Sequence, residues 1–175
     1  MNRARLAILL ALFAAFGCQP EVEWLPLEPA GSHFRAEMPG VPQVVRRQVK
    51  LPFGDVPVNM WLVEDGDRAF IVGYTEYPEK VGEVATPDEL LDSARDGHLQ
   101  NIAGRLVRDE PTERDGHRGR VIEIEAASGA ALVRGELFIA HSRLYQVLAT
   151  TTPEEREGPL AARFLDSFEL LPASP

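Results

Sequence analysis

Cysteine occurs once in this chain of 175 residues, at Cys18, and lysine only twice, at Lys50 and Lys80. A lone cysteine excludes an internal disulfide, so an exported domain of this sequence must be held by its apolar core. No glycine-rich loop runs into Lys-Ser or Lys-Thr, which excludes a phosphate cradle of the P-loop kind. No serine stands in Gly-x-Ser-x-Gly, so the strand-to-helix elbow of many hydrolases is missing as well. Histidine is confined to four positions, which leaves few ways to build a metal or acid–base centre. Apolar runs are short. The longest, Leu6 to Phe16, covers roughly 16 Å as a helix, about half the hydrocarbon core of a bilayer. Positive charge is in deficit, with 18 Lys and Arg against 27 Asp and Glu, a net charge of −9. Such a body is repelled by phosphates, which argues against nucleic acid and against electrostatic docking on anionic lipid.

What is present begins with an address. Arg3 and Arg5 precede the apolar run, and small Gly17 stands just before Cys18, the layout of an export signal and not of a folded element. The segment resembles the signal of bacterial lipoproteins, matching at Gly17 and Cys18. In that family the cysteine becomes the acylated first residue of the mature chain. The resemblance implies lipidation of Cys18 and attachment to a membrane through several acyl chains, which anchor stably where one does not. Gln19 after the cysteine resembles the class sorted to the outer membrane in cells with two membranes. Residues 1–17 are then a signal peptide, and losing Arg3 and Arg5 with it takes the net charge to about −11. Residues 18–32, with three prolines and three glutamates, read as a tether from the acylated cysteine. Trp24, Leu25 and Leu27 offer the alternative of a partly ordered lead-in that packs on the domain.

The folded part is expected over residues 33–172. His33 to Met38 alternates, with Phe34, Ala36 and Met38 on one face, as a half-buried strand does. Strands are predicted next from about Val44 to Leu51, Val56 to Glu64 and Arg68 to Tyr77, divided at Gly54-Asp55 and at the hairpin signal Asp65-Gly66. Short connections favour antiparallel pairing. Thr86-Pro87-Asp88-Glu89 supplies an N-cap hydroxyl, proline at the first helical position and a glutamate placed to reach back to the cap. Leu90, Leu91, Ala94, His98 and Ile102 follow at near-helical spacing, and Gly104 stops the run. Further strands are predicted at Leu106–Thr112, Gly119–Ala127, Ala131–Ala140 and Arg143–Thr151, with turns at Asp115-Gly116, Ser128-Gly129 and His141-Ser142. Thr152-Pro153-Glu154-Glu155 reads as a second capping box, ahead of a helix at Leu160–Asp166 and a closing strand at Phe168–Leu171. Ile122 and Ile124 should meet Leu91 of the first helix in one core.

The stretches Asp115 to Arg120, Arg143 to Gln146 and Phe164 to Phe168 resemble a group of bacterial lipoproteins and secreted domains with a PsbP-like fold, over about His33 to Pro172. The group includes the photosystem II extrinsic subunit, a Ran-GTPase release factor and periplasmic lipoproteins with no assigned chemistry. The resemblance implies an antiparallel sheet sandwiched by helices, and a binding or assembly module, because no common catalytic site goes with that fold. The pattern of elements agrees on the class: α+β, with a mainly antiparallel sheet of about six to eight strands packed by two helices.

Candidate chemistry is sparse. Asp96-Gly97-His98 and Asp115-Gly116-His117 together hold two imidazoles and two carboxylates, a donor set suited to zinc. Asp96 and His98, two apart on a helix, point to nearly opposite sides, so His98 is read as a hydrogen-bonded core histidine and no metal is expected. Ser142 beside His141 is read as a turn pair. Glu123 and Glu125 share one strand face, a spacing open to a glycosidase-like pair and more simply read as solvated outer-face charge. The best binding candidate is Arg114, His117, Arg118 and Arg120, basic side chains around a hairpin tip in an acidic chain, where arginine forks can grip a carboxylate or phosphate. The plain alternative is solvated charge pairing with Glu110 and Glu113, and the PsbP-like resemblance, which also has arginine at the position of Arg120, implies a structural partner to a strand carboxylate there.

The reading is a lipid-anchored bacterial envelope protein that binds or assembles, with an envelope protein as its partner, no cofactor, no catalysis and no nucleic acid. In a cell with two membranes it sits on the outer one, facing the periplasm. A soluble secreted protein, cut by an ordinary signal peptidase, is the rival if Phe16 spoils the lipoprotein signal. An envelope hydrolase is the third option, if Ser, His and acidic groups converge in space.

Overall fold

Period-two alternation makes strands before and after one long helix, and strands from both stretches pair into one sheet. The computed structural model describes residues 22–51, 54–78 and 80–172; the signal segment and Cys18 lie outside the described residues. In chain order the elements are β1 (Leu25–Leu27), β2 (Phe34–Met38), β3 (Gln43–Leu51), β4 (Gly54–Asp65), β5 (Arg68–Glu76), α1 (Val81–Val84) and α2 (Pro87–Asn101). There follow β6 (Arg105–Arg114), β7 (His117–Glu125), β8 (Leu132–Ala140), β9 (Arg143–Thr151), a single 3-10 turn (Pro153–Glu155), α3 (Pro159–Asp166) and β10 (Glu169–Leu170). The architecture is α+β. Seven strands form one sheet in the order β3-β4-β5-β9-β8-β7-β6, and β1, β2 and β10 form a second, small sheet. Every pairing is antiparallel.

The two faces of the large sheet build two cores. On one face α2 lays Leu91 against Ile122, Ile124, Leu137 and Leu148. On the other, the small sheet and α3 bring Phe34, Met38, Phe164 and Phe168 onto Phe70, Val72, Tyr145 and Val147. Helix α2 starts where its sequence says. The Thr86 hydroxyl accepts from the Glu89 amide at 3.3 Å, and the Glu89 carboxylate accepts from the Thr86 amide at 2.7 Å. Those Thr86 bonds, the backbone one first, hold the Glu89 carboxyl below the usual range.

Two expectations need correction. Residues 18–32 are not all tether: β1 pairs with β2, the Trp24 ring lies 4.3 Å from the Arg163 guanidinium, and Ser32 is buried. The domain therefore starts ahead of His33, because Leu25 and Leu27 find register partners in Met38 and Ala36. Ten strands form among the described residues; seven make the large sheet, within the expected six to eight, and β1 is the one strand the alternation did not predict. The capping box at Thr152 does not form; its hydroxyl makes no cap bond, and Gly158-Pro159 restarts the helix after one 3-10 turn.

Candidate functional site

The four basic side chains expected around the β6–β7 turn do not make one surface. The turn sits at Asp115-Gly116, with both residues at positive φ (52° and 77°). Side chains alternate along the strands leaving it, so Arg114 and His117, which are register partners, lie on the small-sheet face, while Arg118 and Arg120 lie on the α2 face. Arg114 belongs to the fold. It donates to the Phe168 carbonyl and, at 2.8 Å, to Glu136, and its guanidinium lies 5.3 Å from the Phe138 ring centre. Arg120 ties β7 to its neighbours, 2.6 Å from Asp109 on β6 and 2.5 Å from Asp92 on α2. Arg95 reaches the same Asp109 at 2.6 Å. Burial pushes the Asp109 carboxyl up, but its bonds from Arg120 and Arg95 more than offset that and hold it below the usual range. Arg118 is exposed and pairs with Asp88 at 2.8 Å, not with Glu110 or Glu113; Glu110 is taken by Arg108.

His117 goes elsewhere. It meets His141 at 5.1 Å between ring centres, and His141 meets His33 at 5.8 Å, at the end of the sheet where β2 begins. Burial, then the neighbouring His117 and His33, lower the His141 pKa. The two Asp-Gly-His motifs stay apart: Asp96 pairs with Arg95, and His98 donates from Nε2 to Gln146 Oε1 at 2.8 Å. Among the described residues no group of three or more His, Cys, Asp or Glu is arranged to hold a metal. His141 and Ser142 both take positive φ in the β8–β9 turn, where the Ser142 carbonyl accepts from the Tyr77 amide at 3.0 Å. Glu123, read as solvated, is buried at 4 % exposure because Arg156 folds over it at 2.6 Å. Glu125 pairs with Arg105.

Two clefts are defined by their linings. One of about 740 Å³ runs between β1–β2 and α3; in it Arg163 pairs with Glu37 and Arg35 with Glu169, and Glu28 and Asp166 also line it. Another, of about 550 Å³, lies under α1 with an apolar wall of Val81, Val84, Leu90 and Ile139. Tyr77 lines it, its phenol pushed up to about 12 by burial.

The site that the residue patterns did not flag is β3. All described arginines but two have a carboxylate within 4.0 Å. The two are Arg46 and Arg47, and among the described residues Lys50 and Lys80 are unpaired too. Three of these four uncompensated cations sit on the nine residues of β3. The strand is the outermost of the large sheet, and no described strand covers its outer side. Pairing with β4 puts Val44, Arg46, Gln48 and Lys50 on one face and Val45, Arg47 and Val49 on the other. All but Val45 of these are exposed, Val44 at 55 %. The opposite edge differs. There β6 is interrupted by a register shift between Leu106 and Arg108 and carries Pro111, devices that blunt an edge. β3 has neither. A usable signal stands in the sequence: no acid occurs between Glu37 and Asp55 in a chain otherwise rich in them.

No family model matches the chain, and no curated protein sequence matches it. Among solved structures it is similar to the cyanobacterial PsbP protein, CyanoP, of Synechocystis sp. PCC 6803, at a TM-score of 0.54 and 14 % identity, over 90 % of this chain and 98 % of that one. A protein of unknown function from Pseudomonas aeruginosa, titled a putative regulator, aligns at a TM-score of 0.47 and 13 % identity, over 74 % of this chain and 99 % of that one. The first of these likenesses shows a PsbP-like fold.

Proposed function

We propose that this chain is a lipid-anchored protein of the bacterial envelope that works by binding and not by catalysis. The observation that supports binding is β3: a regular edge strand that no other described strand covers, holding three of the four described cations that lack a carboxylate partner. Elsewhere the charged groups that sequence offered for chemistry are engaged within the fold, as Arg114, Arg120 and Glu123 show. A PsbP-like fold carries no task of its own, so the role rests on this edge and not on the likeness. The anchor rests on Arg3, Arg5, the apolar run and Gly17-Cys18.

Two measurements test the two halves. Cys18→Ser should move the protein from the membrane to the soluble fraction, and the mature wild-type N-terminus should carry the mass of acyl chains. An unmodified wild-type N-terminus in the soluble fraction would establish the secreted reading instead. For the binding half, a photo-crosslinker placed at Gln48 on β3 should give adducts in intact cells, while one at Thr112 on β6 should not. Equal yields at the two edges would remove β3 as the binding surface.

A further inference from the structure

We infer that β3 receives an acidic, extended segment of a partner protein, which joins the large sheet as a further strand; this deepens the binding role proposed above. The backbone supplies affinity. An uncovered edge strand presents a row of unpaired N–H and C=O groups, and an extended peptide satisfies them by β-addition. Register along β3 runs without a shift from Gln43 to Leu51, so the row is continuous. The side chains supply selection. A strand added in the plane of the sheet is flanked by β3 side chains on both faces. It would meet Arg46 and Lys50 above and Arg47 below, with Val44 and Val49 beside them.

That two-sided arrangement decides between occupants. A lipid surface is a plane and can collect only one face of the strand, either Arg46 with Lys50 or Arg47 alone. A second copy of β3 is disfavoured, because the antiparallel register that uses the whole strand sets Arg47 opposite Arg47 and neither copy supplies an acid. An acidic strand answers both faces. Running antiparallel, its matching pattern is acidic opposite Lys50, apolar opposite Val49, polar opposite Gln48, then two acids opposite Arg47 and Arg46. Opposite charges directly across a strand pair stabilise it, and like charges destabilise it.

The probe is a labelled peptide made of two copies of Glu-Val-Thr-Glu-Glu-Val, followed by anisotropy on the purified full chain. It should bind at low salt and weaken as salt rises, since the cations are exposed. Arg46→Ser/Arg47→Ser/Lys50→Ser should lower affinity by about tenfold, the scale expected on losing three exposed cross-strand charge pairs. The melting temperature should hold, because none of the three makes an ion pair to lose; Arg47→Ser alone serves if the triple variant misfolds. A Gln-for-Glu peptide should lose the same affinity, and a central proline should abolish binding by removing an edge hydrogen bond. Equal binding of the proline peptide overturns strand addition, and equal binding of the neutral peptide overturns the selection for acid. So does binding to phosphatidylglycerol vesicles, through the same cations, without binding to the peptide. If wild type binds no peptide and the triple variant self-associates, the cations only guard the edge and the inference falls. Crosslinks at Gln48 in cells together with no peptide binding would keep the binding role and discard the acidic strand.

Discussion

Replacing Arg114 by serine separates a structural arginine from a surface one, with Arg118→Ser as the internal control. Arg114 is about a quarter exposed (26 %), its partner Glu136 similarly so (22 %), and it also holds the Phe168 carbonyl and lies over the Phe138 ring. A hydrogen bond to a charged group contributes about 1.5–3 kcal/mol, and a cation over an aromatic face about 0.5–1 kcal/mol at a partly wet site. Taking the lower part of these ranges for partial exposure, Arg114→Ser should destabilise by about 2–3 kcal/mol. Arg118 and Asp88 are 67 % and 60 % exposed. An exposed pair contributes little, so Arg118→Ser should stay within about 0.5 kcal/mol of wild type. At about 2–4 °C per kcal/mol for a domain of this size, Arg114→Ser should melt roughly 5–10 °C lower and Arg118→Ser at nearly the wild-type temperature. Urea unfolding is the assay, with the midpoint moving and the slope unchanged. Arg114→Lys should recover only part of the loss, because an ammonium cannot reach carbonyl and carboxylate as a planar fork does. Equal, small effects from both serine variants would refute the assignment of Arg114 to the fold.

Two further outcomes follow from the cores and the histidines. Ile122→Ala, Ile124→Ala and Leu91→Ala should each cost about 2–5 kcal/mol in urea unfolding, since all three are buried in the same cluster and leave cavities; wild-type stability in any of them would show that the α2 face is misassigned. Burial lowers the His98 pKa against the opposing bond to Gln146, and burial with His117 and His33 lowers that of His141. A lowered imidazole means the unfolded chain binds more protons, so this stability is complete above the usual value of 6.5 and is lost as pH falls through the lower folded values. Unfolding midpoints should therefore drop as pH falls below the usual imidazole value of 6.5, and His98→Gln/His141→Gln should flatten the slope; an unchanged slope in that variant would place the titration elsewhere.

Helix α2 was legible because its signals are local and mutually consistent: Thr86 and Glu89 lie three apart, and the apolar stripe repeats within one element. Alternation likewise placed Ile122 and Ile124 inward, since a strand's period fixes which residues share a face. The same alternation was the neglected fact at the β6–β7 turn. Arg114 and Arg118 are close in sequence, but an even number of steps around a two-residue turn does not keep them on one face once Arg114 is paired with His117. Glu123 shows a different failure. Its burial comes from Arg156, 33 residues later and past β9, and no local pattern announces a lid of that kind. The β1 segment was obscured by Pro26 and Pro29, which break periodicity although Leu25 and Leu27 pair well with β2. For β3 the missing information was global. Arg46, Arg47 and Lys50 look like any exposed cations until the other described arginines are seen to have found carboxylates. In a chain with 27 acids, a cation lacking an acidic neighbour is the exception, and several on one open edge concentrate positive potential along a strand that still has hydrogen bonds to give. Charge and backbone then select for the same partner, one that is both acidic and extended, and it is their coincidence on β3 that separates this edge from β6.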